Sequence, residues 1–120
     1  MKYIFILILL VQIQTLSSQQ ILEDHPLSKT IEETSGLEII DNMLITHNDS
    51  GGEPALYYLD KKGKIVDTRK IKGVKNNDWE DVTRDDKFIY VANMGNNFDT
   101  RKNLSIIKIP IKKSLNETVE

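Results

Sequence analysis

Two stretches of this chain echo one another 45 residues apart, and that spacing limits the available folds more than any other feature. Met43-Leu44-Ile45-Thr46-His47-Asn48-Asp49-Ser50 sets over Phe88-Ile89-Tyr90-Val91-Ala92-Asn93-Met94-Gly95: apolar residues meet at the strand starts and Asn48 falls on Asn93. Further along, Ala55-Leu56-Tyr57-Tyr58-Leu59-Asp60 lies over Ser105-Ile106-Ile107-Lys108-Ile109-Pro110 at an offset of 50, so the loop of the second copy is the longer one. A recurrence near 45 residues built from short strands is the signature of propeller blades, each blade one small antiparallel sheet. The fold class expected is therefore all-β, with about two blades of four antiparallel strands, part of a larger β-propeller.

The strands themselves follow from local chemistry. Residues 36–40 read as a short strand, Asp41-Asn42 as a tight turn and 43–46 as a second strand. Asn48-Asp49-Ser50-Gly51-Gly52 is a turn cluster, because Asn and Asp side chains bond their own backbone and glycine accepts any turn geometry. Residues 55–59 form a third strand, Lys61-Lys62-Gly63 a turn and 64–71 a fourth, which completes a first blade over residues 35–72. After a crossing segment at 72–77, an incomplete blade over residues 78–111 repeats the plan with strands at 79–83, 88–93 and 104–111. Helix is disfavoured by the β-branched and aromatic content of the apolar runs and by the regular spacing of turn residues. Two blades leave a sheet face and an edge uncovered, and such units need three or more neighbours to bury a continuous core. Residues 35–120 are thus expected to be the N-terminal portion of a longer propeller, whose C-terminal blades would be its first partners. A self-sufficient β-sandwich is the alternative, since seven short strands suit it equally.

Residues 1–18 read as a secretory signal peptide. Lys2 gives the positive start, residues 3–11 are unbroken apolar sequence, and Thr15, Ser17 and Ser18 supply small residues for cleavage. Gln12 and Gln14 interrupt the run too early for a membrane span, which needs about 18 apolar residues. The expected location is outside the cytoplasm, either secreted, periplasmic or at the cell surface. Residues 19–34 form a polar lead-in with Pro26 and no sustained period, placed either against the sheet or loose. The chain has no cysteine, which removes disulfides, thiolate catalysis and cysteine-type zinc sites together. Without Lys2 the charge count is 15 basic against 18 acidic residues, a net −3, too balanced for a nucleic-acid binder. The pairs Lys61-Lys62 and Lys112-Lys113 read as solvated turn and strand-end charges.

Four motifs give the chain a resemblance: Ser35-Gly36-Leu37, Thr46-His47-Asn48-Asp49-Ser50-Gly51-Gly52, Asp78-Trp79-Glu80-Asp81 and Gly95-Asn96-Asn97. Over residues 35–111 it resembles the secreted six-bladed β-propellers of the TolB-like, NHL-like and senescence-marker/paraoxonase-like kind, above all exported bacterial members. The resemblance implies a central channel lined by the innermost strand of each blade, with Ser35, Glu80 and Asp81 at or near it. It also implies calcium, which paraoxonase-like propellers hold in the channel with Glu, Asn and Asp. Glu80 is then the first ligand candidate, with Asp81, Asn48 and Asn93 behind it. Calcium suits such residues, since it takes six to eight oxygen ligands from carboxylates, amides and carbonyls. Ligands from later blades are missing, so no complete site assembles from this stretch.

Other readings of the same residues stand beside that one. Glu80 and Asp81 would equally serve to bond backbone amides at a strand start, and Trp79 to pack between blades. Asn96-Asn97 is first of all a turn. His47 with Asp49 invites an acid–base role, but a turn begins at Asn48, so spacing leaves their convergence open. Ser50 lacks the glycine two positions before it that a nucleophile elbow requires. His25, in the lead-in, reads as a solvated surface residue. The sequons at Asn48, Asn103 and Asn116 matter only in a host that glycosylates them and are read as coincidental. Two functional classes follow: a binding or scaffolding propeller that offers its channel mouth or rim to a carbohydrate, peptide or small molecule, or a calcium-dependent hydrolase of the lactonase, esterase or phosphoesterase type. The absence of a clear nucleophile favours the first.

Overall fold

The computed structural model describes residues 18–111. The leader expected over residues 1–18 falls outside them but for Ser18, as do Lys112-Lys113 and Asn116. The described chain is all-β, with two antiparallel sheets and a single turn of 3-10 helix at Lys29–Ile31. Among the described residues no helix is long and apolar enough to cross a membrane.

The first sheet runs in chain order: β1 (Thr34–Ile40), β2 (Met43–Asn48), β3 (Ala55–Leu59) and β4 (Ile65–Lys70). Asp41 and Asn42 close β1 onto β2 with φ of 45° and 67°, the left-handed pair that a two-residue hairpin needs and that Asp and Asn tolerate. Asp60 organises the next corner, its Oδ1 accepting from the backbone N–H groups of Lys62 and Lys64 at 2.9 and 3.0 Å. The second sheet is β5 (Asp81–Arg84), β6 (Phe88–Asn93) and β7 (Ser105–Pro110). Its first corner is pinned by Asp85, whose Oδ1 accepts from Lys87 and Phe88 N–H at 2.7 Å while Oδ2 takes the Tyr90 hydroxyl.

Strand pairing sorts the side chains cleanly. On the first sheet Ile40, Ile45, Leu56 and Tyr58 share one face and meet Val82, Ile89, Val91 and Ile109 of the second, with Trp79 closing the same core. Cross-strand partners point the same way, which is why Ile89 with Ile109 and Val91 with Ile107 form one inward layer. The opposite face of the first sheet carries Leu44, Ala55, Tyr57, Leu59 and Ile65, and it is covered by Ile31, only 1% exposed. The end of the polar lead-in therefore lies against the sheet through Ile31, a choice its composition left open, while Ile21 and Leu22 near its start stay exposed.

The two sheets meet along β1 and β5, and each side-chain bond between these strands and their approaches joins residues 45 positions apart. The Ser35 hydroxyl donates to the Glu80 carbonyl (2.9 Å), Thr83 donates to Glu38 (3.2 Å), and Arg84 Nε donates to the Ile39 carbonyl (2.7 Å). Gly36 permits this approach: a Cβ there would stand 2.5 Å from Val82 N and 2.7 Å from Asp81 Cα.

One expected strand needs correction. The stretch at 79–83 begins its ladder only at Asp81. Trp79 N–H donates to the Asp49 carbonyl (2.7 Å), so Trp79 belongs to the joint between sheets while Glu80 N–H turns back to Ala92 of β6 (2.9 Å). The reason is competition for one donor: the loop after β2 takes the Trp79 amide before the ladder does.

Candidate functional site

Three carboxylates gather where the loop after β2 meets the approach to β5. Asp49, Asp78 and Glu80 each offer an oxygen, all within 4.8 Å of one another. Backbone bonds set each in place. Asp49 is tied by its N–H to the Glu33 carbonyl (2.8 Å) and by its carbonyl to Trp79; the Asp78 carbonyl accepts from Gly95 N–H (3.1 Å). The Asp78 carboxylate lies directly on Gly95, where a Cβ would come within 2.0–2.4 Å of its atoms. Asn76 Nδ2 adds a bond to the Asn48 carbonyl (2.8 Å), and Asn48 Nδ2 one to the Thr30 carbonyl (2.9 Å).

Like charges at this separation repel. Asp49 has its pKa raised, first by loss of solvent, then by its hydrogen bond to and repulsion from Asp78, then by Glu80 and Glu33. A cation or a shared proton relieves that repulsion. Among the described residues, five buried polar atoms lack a partner: His47 Nε2, Asn48 Oδ1, Asp49 Oδ1, Asn76 Oδ1 and Trp79 Nε1. All five belong to the segments that build this joint. A well-packed protein leaves few such atoms, so their concentration in one place marks it.

His47 is fully buried, its ring edge-on to Trp79 with centroids 5.8 Å apart. Its Nδ1 donates to the Asn48 carbonyl (3.0 Å), since a carbonyl only accepts, and this leaves Nε2 with the lone pair. Burial lowers its pKa and keeps it neutral. Its hydrogen-bond partner is a carbonyl, not the hydroxyl that a nucleophilic pair would require.

Of the residues singled out in the sequence, Glu80 stands in the trio. Asn48 lies beside it, buried, with Oδ1 unpartnered. Asp81 points elsewhere: its Oδ1 accepts from Val82 N–H (2.8 Å) and rests against Gly36. Asn93 is engaged, with Oδ1 accepting from Arg101 Nη2 (2.9 Å) and Nδ2 donating to Ser105 (3.0 Å). A guanidinium at that oxygen repels any cation. Asp49 and Asp78 were missed as ligands, although the Asn48-to-Gly52 cluster holds the one and the Asp78-to-Asp81 motif holds the other together with Glu80.

Because the folded pKa of Asp49 lies above its ordinary value of 3.8, the folded state binds the proton more tightly than the unfolded chain. The resulting stability is fully present below 3.8 and is lost as pH rises through the folded pKa. Asp49→Asn is expected to flatten that loss and to raise stability at neutral pH when no divalent cation is present. Urea melts of both proteins across pH 3–8 in chelator check it, and parallel profiles would refute it.

Comparison of the chain with family models, with curated proteins and with solved structures found no match, so its resemblance to exported propellers rests on the four motifs alone.

Proposed function

We propose that this chain is the blade-built portion of an exported binding or scaffolding propeller, held at the joint between its first two sheets by a calcium ion. The observation that carries the reading is the gathering of Asp49, Asp78 and Glu80 at that joint, with Asp49 Oδ1 buried and unpartnered. Their chemistry fits the ion: hard, negatively charged oxygens from three separate chain positions, with Asn48 adjacent. Asp49, Asp78 and Glu80 would hold it, and the charge it supplies there offsets their repulsion and cross-links the loop after β2 to the approach to β5. The protein would then present a rigid rim to a carbohydrate, peptide or small molecule outside the cytoplasm. The balanced charge speaks against nucleic acid. Binding is preferred over hydrolysis because the one histidine at the joint keeps its Nε2 lone pair sealed from solvent.

Calorimetric titration with calcium tests the site. Glu80→Gln keeps the size of the side chain and removes its charge, and it is expected to weaken binding by roughly tenfold or more, as charge count tunes such sites. Thr83→Ala, outside the trio, is expected to bind as the wild type does. Unchanged affinity in Glu80→Gln, or no binding by any of the proteins, would remove calcium from the joint.

A further inference from the structure

The carboxylate trio and the lead-in meet in one residue, Asp49. Its side chain faces Asp78 and Glu80, while its N–H donates to the Glu33 carbonyl (2.8 Å). Asn48 beside it is tied to the same segment, its Nδ2 donating to the Thr30 carbonyl (2.9 Å). From the opposite side Trp79 N–H holds the Asp49 carbonyl (2.7 Å) and Asn76 Nδ2 the Asn48 carbonyl (2.8 Å). The corner that brings Asp49 to the trio is therefore gripped twice, by the lead-in and by the approach to β5.

The grip from the lead-in hangs on a single anchor. Of residues 18–34 Ile31 alone is buried, and all the others are exposed. It belongs to the 3-10 turn capped by Ser28 and shares a small core with Ala55, Tyr57 and Leu59. The Thr30 carbonyl lies one residue before it and the Glu33 carbonyl two residues after it, so seating Ile31 also aims both acceptors at the corner.

Charge opposes this arrangement until a cation offsets it. Besides losing solvent, Asp49 is repelled by Asp78, Glu80 and Glu33, and the last of these arrives with the lead-in itself. Undocking the lead-in withdraws Glu33 and frees the Asp49 N–H, which relieves the repulsion. A calcium ion on the trio reverses the balance, because it favours both a placed Asp49 and the acidic segment beside it. Coupling between two equilibria of this kind is reciprocal: what the ion contributes to docking, docking contributes to the ion.

We propose that docking of the lead-in on the first sheet and calcium binding at the joint are one linked equilibrium, in which Ile31, outside the trio, is a positioning residue for the ion. The proposal rests on the calcium reading above and adds the coupling to it. The ion acts as a clasp that seats residues 28–33 over the outer face of the first sheet.

Amide hydrogen exchange of the full chain, in calcium and in chelator, tests it. The reporters are the N–H groups of Ile31 and Glu32, bonded to the Ser28 and Lys29 carbonyls, and that of Asp49, bonded to Glu33. Calcium is expected to slow all three by about 5-fold or more, the lower end for coupled sites. The Phe88 N–H, held by Asp85 at the far corner of the second sheet, should not change. In calorimetry Ile31→Ala should weaken calcium binding by about 5-fold or more, and Ile31→Val should restore most of the affinity. Ile21→Ala, on an exposed residue of the same segment, should bind as wild type does. If wild type binds no calcium, the coupling falls together with the reading it rests on. If wild type binds calcium but the three amides exchange equally in both conditions, or Ile31→Ala binds as tightly as wild type, the coupling alone falls. The exchange measurement needs only wild-type protein, so it decides even where circular dichroism shows Ile31→Ala unfolded.

Discussion

Replacing Trp79 with alanine is expected to cost about 3–5 kcal/mol of stability, the range for large aromatic truncations in a packed core. Trp79 is the largest fully buried side chain described, 0% exposed, and it closes a core drawn from both sheets. Its removal leaves a void that neither sheet fills without shifting its ladder. It also strips His47 of its edge-on ring contact. Natural domains are stable by only about 5–15 kcal/mol, so the loss takes a large share of the total. Trp79 is the only tryptophan, so the variant must be followed by circular dichroism in urea rather than by indole fluorescence. The midpoint should fall sharply, and Trp79→Phe should recover part of it. A loss below about 1 kcal/mol, the ordinary effect of a point substitution, would show that the sheets are not held together at this residue.

Gly36→Ala is the second large effect. The added methyl would meet Val82 N at 2.5 Å and Asp81 Cα at 2.7 Å, both backbone atoms that no rotamer change moves aside. β1 and β5 must separate, and with them the bonds from Ser35 to Glu80, Thr83 to Glu38 and Arg84 to Ile39. Overpacking of this kind costs about 1–3 kcal/mol, and more where backbone is the obstacle. Gly52→Ala is the control: its Cβ would meet only the Asn48 side chain, at an ordinary 3.4 Å. Amide hydrogen exchange should show faster exchange in β1 and β5 of Gly36→Ala than in wild type or Gly52→Ala. Equal protection in all three proteins would mean that the joint tolerates the methyl group and that the close approach is not needed for the fold.

The candidate site was half legible. Glu80 entered through the resemblance, which implies a calcium ligand at this strand entry, with Trp79 beside it to anchor the backbone. Asn93 stood behind Glu80 as a candidate, yet Arg101, eight residues on in the longer second loop, supplies the charge that occupies it. No residue type or spacing announces that pairing. Asp49 read as a turn former, and it serves as one, but its carboxylate also faces Asp78 across a joint between segments 29 positions apart.

What the sequence by itself determined is the set of strands and corners. β3 and β6 begin and end at the residues their β-branched and aromatic runs indicate, and Asp41-Asn42 makes the hairpin its residue types favour. These are local choices, made by neighbours in the chain and scarcely altered by what packs on them. The tertiary structure decided where Trp79 sends its amide, which carboxylates share a site and what covers the outer face of the first sheet. Each of those turns on competition between partners distant in sequence, and the winner depends on geometry that exists only once the sheets have met: the lead-in holds Ile21, Leu22, Leu27 and Ile31, and nothing in that segment says that Ile31 is the one the sheet face buries.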